Sequence, residues 1–361
     1  MKILHVANRF YPCLGGVEKH TEDLCENLIK LGHVSDVACL NRCHGSKTIL
    51  PPEEKYKEIN VHRMNFLDLK YYRMAPQIIK MAKNYDIIHI HGIGFFSDFL
   101  SLTKFIHKKK IILSTHGGIF HTGNLNLFKK IYFHTWCKVI LKNIDKTIAD
   151  SKNDYDKFSG ITNNIVFIPN GVSLDKLKSN PDKKNIFLYL GRISKNKRID
   201  NLIETIRLLK KHGYDYKLYI IGKDWDGMEK DLKKSVAKNG LENNVIFKGE
   251  VSEKEKIKHL SEAKFFLSAS EYEGFGISLL EAMASGCVVI ANDIDAFRNI
   301  VENNKNGFLI NFSKPGESFK HMIKIVNKKS LKRISENAAK DAKKYNWAEL
   351  AIRIEDVYEK I

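Results

Sequence analysis

Short β-branched runs alternate with amphipathic helical stretches along almost the whole chain, and that alternation constrains the fold more than any other feature. Strand, helix and strand in succession build parallel sheets through βαβ units. In the first half the predicted strands are Ile3–Ala7, Val34–Leu40, Asp86–Ile90, Ile111–Ser114 and Lys146–Ala149. Between them Val17–Leu31 reads as a helix stopped by Gly32, and Ser151 with Asp154 as a capping box opening another. The pattern breaks at Ile168-Pro169-Asn170-Gly171 and in the polar, turn-rich stretch 179–185. It then restarts with strands at Ile186–Leu190, Lys217–Ile221, Val245–Phe247, Phe265–Leu267 and Val288–Ala291. Helices are expected at Ile199–Lys211, from Met228, after the capping box Ser252/Glu255, at about Gly276–Ser285, and beyond residue 315. Two α/β sheets, each started by its own strand, predict an α/β protein of two facing Rossmann-like domains with a central cleft. The boundary falls after residue 170.

Length agrees: 361 residues at about 150 per domain make two domains. With 43% hydrophobic and 28% charged residues, the chain can build full cores, which excludes a disordered polyelectrolyte, a collagen-like fibre and a small disulfide scaffold. The longest apolar stretches resemble Cys287–Ala291, far short of the roughly 18 residues of a membrane-spanning helix. The amino end reaches Arg9 too soon for a secretory signal, so the expected location is the cytoplasm. None of the six cysteines forms a CxxC pair, and all are expected as reduced thiols. Lys+Arg 60 against Asp+Glu 42 leaves +18, which implies an anionic partner without naming one.

In doubly wound sheets ligands bind beyond the carboxyl ends of the strands. The segment Glu271-Tyr272-Glu273-Gly274-Phe275-Gly276-Ile277-Ser278-Leu279-Leu280-Glu281 follows a predicted strand and opens a helix. Gly274 and Gly276 let the backbone approach a ligand closely, and the helix start offers free N–H groups and a positive dipole end, the makings of a phosphate site. Glu281 lies roughly 8 Å along that helix among apolar residues, the span from a diphosphate to the ribose of the same nucleotide. Glu273, outside the helix, reaches the group on the other side of the phosphates. The plainer alternative is a buried Glu281 paired with a local lysine. Arg192 and Lys197 bracket the loop after Ile186–Leu190 and can offset the charge of a diphosphate leaving group; a solvated basic loop is the competing reading. Gly15 and Gly16 precede the first helix, where a plain turn serves equally well. His116 follows Ile111–Ser114 and can hydrogen-bond a sugar hydroxyl or act as a structural histidine.

Other patterns carry less. His89 and His91, with His116 and His121, suggest zinc, but no carboxylate or thiolate completes the set. Asp224/Asp226 and Asp293/Asp295 have the DxD form of metal-bound diphosphate sites, yet each pair sits where Asp caps the next helix. Phe128, Tyr132, Trp136 and Ile140, interleaved with lysines, fit a core stripe better than a membrane face.

Taken together, Gly15-Gly16-Val17-Glu18, His116, Arg192 with Lys197, and Glu273 and Glu281 inside an EGFG…LEAMASG segment resemble glycosyltransferase family 4, of GT-B fold. The resemblance covers nearly the whole chain. It implies an acceptor-side domain 1–170, a nucleotide-sugar-binding domain 171–345, and a last helix at about 346–361 that crosses back to the first domain. It further implies a retaining, metal-independent transferase with no cofactor beyond its nucleotide-diphosphate sugar. Arg192, Lys197 and the backbone of Phe275, Gly276 and Ile277 hold the diphosphate; Glu281 takes the ribose, and Glu273 with Gly274 the donor sugar. Gly15, Gly16 and His116 lie beside the sugar and reaction centre, and Gly249, Glu250 and Val251 meet the base. The loop Gly222-Lys223-Asp224-Trp225 departs from the family pattern and leaves the base open.

The expected partners are a nucleotide sugar, a glycan or lipid-linked acceptor, and an anionic membrane surface at the inner face, with no nucleic acid. The same fold accommodates a sugar-nucleotide epimerase or a glycosyl phosphorylase. A nucleic-acid binder is disfavoured because the lysines are spread rather than clustered with aromatics.

Overall fold

A computed structural model describes residues 1–13, 15–69, 72–117, 131–180 and 182–361. The chain divides into two compact units, Met1–Gly171 with Trp347–Ile361, and Val172–Asn346.

Among the described residues the first unit carries an eight-stranded sheet. Its order is Ile165–Phe167, Lys146–Ala149, Lys110–Ser114, Ile87–His91, Lys2–Val6, Val34–Leu40, Ile59–Met64 and Glu53–Tyr56. All neighbours pair in parallel except Glu53–Tyr56, which forms an antiparallel ribbon with Ile59–Met64. One face packs Leu4, Val6, Ile88, Ile90 and Leu113 against Phe96 and Phe133. The other packs Ile3, Ile87 and Ile112 against Leu24, Leu28 and the last helix, through Trp347, Leu350 and Ile354. Burial on both faces explains why these strands read as continuous apolar runs. The helix Gly16–Lys30 stops where expected: Gly32 takes φ +88, and the His33 N–H returns to the Leu28 carbonyl.

The second unit has six parallel strands, in the order Val245–Gly249, Lys217–Ile221, Lys184–Leu190, Ala263–Ser268, Val288–Asn292 and Phe308–Ile310. Numbered along this unit, the order is 3-2-1-4-5-6, the Rossmann arrangement. The order reverses between Lys184–Leu190 and Ala263–Ser268, so a crevice opens beyond their carboxyl ends. The Ser252/Glu255 capping box forms in full, whereas Ser151 caps Asp154 N–H without a reciprocal bond.

Several expectations need correction. Cys13 and Cys43 are joined in a disulfide, so the reading of six reduced thiols fails for these two. Cys13 lies in the loop after the first strand and Cys43 in the loop after its neighbour Val34–Leu40, a proximity that a separation of 30 residues conceals. Cys25, Cys39, Cys137 and Cys287 are free and buried. Strands Glu53–Tyr56, Ile59–Met64, Ile165–Phe167 and Phe308–Ile310 were not anticipated; each is short and half polar or lies at a sheet edge. Of the stripe around Phe128, residues 125–130 lie outside the described residues, as does His121. Ile140 is buried and Tyr132 donates to Asp98, as core packing requires, while Trp136 is half exposed. No described helix is long and apolar enough to cross a membrane.

Candidate functional site

In the second unit the two strands flanking the reversal end in the loops 191–198 and 269–276, which carry most of the predicted residues. The loops are tied together. Glu271 N–H donates to the Asn196 carbonyl (2.8 Å), and Arg198 Nη1 meets Glu271 Oε1 at 2.5 Å. Two neighbouring turns extend this edge: Gly191 N–H donates to Ile221 O, and Gly222 N–H to Gly249 O at 2.8 Å. Gly222, at φ +145, passes so close that a Cβ would collide with the Gly191 carbonyl. Its loop is longer than the family pattern, but the close approach is why glycine stands there.

Lys197 is buried, 8% exposed, and its Nζ lies 2.5 Å from Glu273 Oε1. Ser270 Oγ donates to the same oxygen (3.0 Å), and Asn292 Nδ2 holds the Ser270 carbonyl. A charged pair so nearly desolvated is costly unless fully hydrogen-bonded, and it fixes both side chains at the switch point. Arg192 is exposed, its guanidinium over the Trp225 ring at 4.8 Å. Gly276 (φ +114) is the cap residue of helix Ile277–Ala284, and no side chain caps the first N–H groups. A Cβ at Gly276 would meet Phe297 at 3.0 Å. Phe275 is buried beneath the turn, and Gly274 has open space where a side chain would be. The structure thus brings Arg192, Lys197, Glu273 and the Gly274–Ile277 turn into one neighbourhood.

Glu281, one turn on, is ion-paired with Lys256 at 2.7 Å. This is the lysine-paired arrangement that the sequence left as the plainer alternative, and any ribose role has to share the carboxylate with Lys256. Glu253 also reaches Lys256 (2.9 Å), and despite its burial the two carboxylates raise the lysine's pKa and keep it charged. Gly249 ends the strand Val245–Gly249, and Glu250, exposed, and Val251 follow it.

In the first unit Gly15 and Gly16 start the helix Gly16–Lys30, again without a side-chain cap. His116 follows Lys110–Ser114 at φ +46, a left-handed conformation that costs a non-glycine residue about 1–3 kcal/mol. Its side chain is 5% exposed and occupied on both nitrogens: Nδ1 lies 2.6 Å from Asp150, and Nε2 lies 3.0 Å from His91 Nδ1. Around it the fold gathers four more buried histidines, His5, His20, His89 and His91. His5 and His89 are registered neighbours on adjacent strands. His91 lies two residues further along the same face. Burial lowers His5 and His20 to about 3 and His91 well below the usual imidazole range, so these rings are neutral. Asp154 is pushed up to about 6 by burial and by Asp150; Asp150 itself, although buried, is held ionised by His116.

The DxD pairs have other work. Asp224 caps Met228 and Glu229 N–H, Asp226 accepts from Lys195 N–H, and Asp293 and Asp295 both hold Arg298. Sequence reasoning missed His20, Asp150, Asn170, Ser270 and Lys256. Asp150 had a signal, standing directly after a predicted strand, and Ser270 lies only three residues before Glu273; His20 and Asn170 meet each other, and Lys256 meets Glu281, across longer stretches of chain.

A Rossmann unit with cations and an uncapped helix at its switch point, joined to a second, mostly parallel α/β unit, defines a GT-B transferase architecture. The family model for "Glycosyl transferases group 1" matches residues 174–341, and that for "Glycosyltransferase Family 4" matches residues 14–176. A GDP-mannose:cellobiosyl-diphosphopolyprenol alpha-mannosyltransferase from Xanthomonas oryzae is 31% identical over 323 residues, covering 87% of this chain and 84% of the relative. The corresponding Komagataeibacter xylinus protein is 30% identical over 86% of this chain and 80% of its own. In fold the chain matches sucrose-phosphate synthase from Thermosynechococcus elongatus, with a TM-score of 0.79 at 17% identity over 100% of this chain and 99% of that one. The chain belongs to glycosyltransferase family 4, and it is a glycosyltransferase.

Proposed function

We propose that the protein is a retaining hexosyltransferase that moves a sugar from a nucleotide-diphosphate sugar to a glycan or lipid-linked acceptor, with no metal at the diphosphate. The observation that carries this reading is Lys197, buried and held 2.5 Å from Glu273 beside the uncapped start of Ile277–Ala284. Lysine has three donors, so it can keep Glu273 and still meet a phosphate oxygen. Arg192 adds a second cation, and the helix N–H groups a third source of positive potential. In the proposed step the acceptor hydroxyl attacks the anomeric carbon on the face from which the diphosphate leaves. The new C–O bond forms as the old one breaks, and the proton passes to the departing phosphate oxygen. Catalysis is then stabilisation of the leaving charge plus positioning, and no protein nucleophile is needed. Glu273 with Gly274 would orient the sugar, Glu281 the ribose beside Lys256, and the loop Gly249–Val251 the base. From the first unit, Gly15, Gly16 and His116 would serve the sugar and reaction centre.

The relatives named for GDP-mannose and a diphosphopolyprenol acceptor make GDP-mannose the first donor to test and a polyprenol-linked oligosaccharide the acceptor class. The +18 charge supports an acceptor presented at an anionic membrane surface. Stronger co-sedimentation with anionic than with neutral vesicles is the expected result, and equal partitioning would remove that part.

A thermal-shift panel of GDP-mannose and UDP- and dTDP-sugars, run with a chelator, tests the donor. Native-state binding at a hundredfold excess over Kd adds about 2.7 kcal/mol of stability, so the true donor raises the melting point without metal. An α-linked product from an α-linked donor establishes retention. Release of a free epimer, or of a sugar phosphate when inorganic phosphate is supplied, would instead identify an epimerase or a phosphorylase.

A further inference from the structure

The histidines of the first unit do more than pack. We infer that His20, His91 and His116 form a binding site for a transition-metal cation of the zinc class, distinct from the proposed diphosphate site and independent of it.

One nitrogen from each of these three buried rings lies within 4.8 Å of the other two. The second nitrogen of each ring is already engaged, in the way metal-binding histidines are held. His116 Nδ1 lies 2.6 Å from the Asp150 carboxylate. His20 Nδ1 lies 2.5 Å from Asn170 Oδ1, whose own Nδ2 donates to Asp150. His91 Nε2 lies 3.0 Å from His5 Nδ1. That leaves as donors His20 Nε2 and the pair His91 Nδ1 and His116 Nε2, which share a hydrogen bond of 3.0 Å that a metal would replace.

His20 Nε2 is the telling atom. It is buried and has no hydrogen-bond partner among the described residues, an expensive state for an imidazole nitrogen. Because its Nδ1–H donates to Asn170, Nε2 carries a lone pair, and a cation is what such an atom lacks. Zn–N bonds of about 2.0–2.1 Å at tetrahedral angles place ligand nitrogens about 3.3 Å apart, so no pair has to close by more than roughly 1.5 Å. Two protons relocate: His91 and His5 each shift theirs from Nδ1 to Nε2, so that His91 Nε2–H donates to His5 Nδ1. The neighbouring trio His5, His89 and His91 is the weaker candidate: a metal there has to displace Tyr358 or Ser114 from His89, whereas in the first trio the bond displaced is the one between two of the ligands, His91 and His116. Sequence reasoning dismissed zinc because no carboxylate or thiolate completed the set. The third ligand is His20, and the carboxylate, Asp150, stands behind a ligand rather than on the metal.

A consequence rests on the proposed reading of His116: a metal on its Nε2 would remove it from the sugar, making zinc an inhibitor. The two claims separate in the test, because binding is read without substrate. Chelator-treated protein is titrated with cobalt(II) and then zinc. The expected result is intense visible d–d bands of a tetrahedral cobalt site at one equivalent, displaced by zinc. Both His20→Gln and His116→Gln should lose the bands while keeping wild-type far-UV circular dichroism. Absent or weak, octahedral-type bands in the wild type would overturn the site. So would bands that survive in either folded variant, since the metal would then lie elsewhere. The wild-type titration decides the case even if a variant fails to fold. Metal binding without inhibition of transfer would leave the site standing and remove only the inhibitory role of His116.

Discussion

Lys197 and Glu273 depend on one another at 2.5 Å, so their roles separate only by asking what each does to a departing diphosphate. Lys197→Ala is expected to lower kcat by about 10²–10³-fold with unchanged circular dichroism, the range for removing one preorganised charge-stabilising donor. A wild-type rate in that variant would end the assignment. Glu281 poses a sharper choice because Lys256 already neutralises it. If it holds the ribose, Glu281→Gln raises the donor KM about tenfold, equivalent to about 1.4 kcal/mol, with little change in melting. If it is only the partner of Lys256, the melting point falls and KM stays put. Both glutamates stood out in sequence because a carboxylate in an apolar or glycine-rich segment needs a reason. Lys197 stood out as well, in the basic loop after a predicted strand; Lys256 did not, since it could have been any of many surface cations.

At the scale of elements, the edge of the second sheet is built from tight turns stacked on one another. Gly222 is the position with least freedom, since a side chain there meets backbone rather than a yielding side chain. Gly222→Ala is expected to destabilise the fold by about 2–4 kcal/mol and to weaken donor binding in parallel, measured by urea unfolding and donor titration. The parallel strands and their helices were readable because continuous apolar runs and helical stretches with capping signals are local features. Ile59–Met64 and Phe308–Ile310 were not, because a short strand is defined by the neighbour it pairs with. The paired residues lie far apart in the chain, as in Val37 with Val61 or Ile290 with Phe308.

For the molecule as a whole, the last helix belongs to the first unit although the chain reaches it through the second. Trp347 is 1% exposed, its ring against His20 and so near Gly171 that a Cβ there would touch the indole. Trp347→Ala is expected to cost about 3–5 kcal/mol, and the loss should appear in unfolding of the first unit rather than of Val172–Asn346. Cysteine chemistry gives a second whole-chain test. Native protein should show no reactive thiols, because the four free cysteines are buried and burial pushes Cys39 and Cys137 up to about 12 and Cys287 to about 11. Unfolded protein should titrate four thiols, and unfolded, reduced protein six. Six without reduction would remove the Cys13–Cys43 bond.

Periodicity, capping residues and glycine-rich turns act over a few neighbouring residues, so the chain written out in one dimension already determined the two α/β halves, where they meet, and the loops that carry Arg192, Lys197 and Glu273. Tertiary structure decided what depends on convergence: Lys256 on Glu281, Asp150 on His116, Cys13 on Cys43, and five histidines drawn together from two strands, a helix and a loop more than a hundred residues apart in total span. Parallel sheets bring the carboxyl ends of distant strands to one edge. Partners that meet there share no local pattern by which a sequence could announce them.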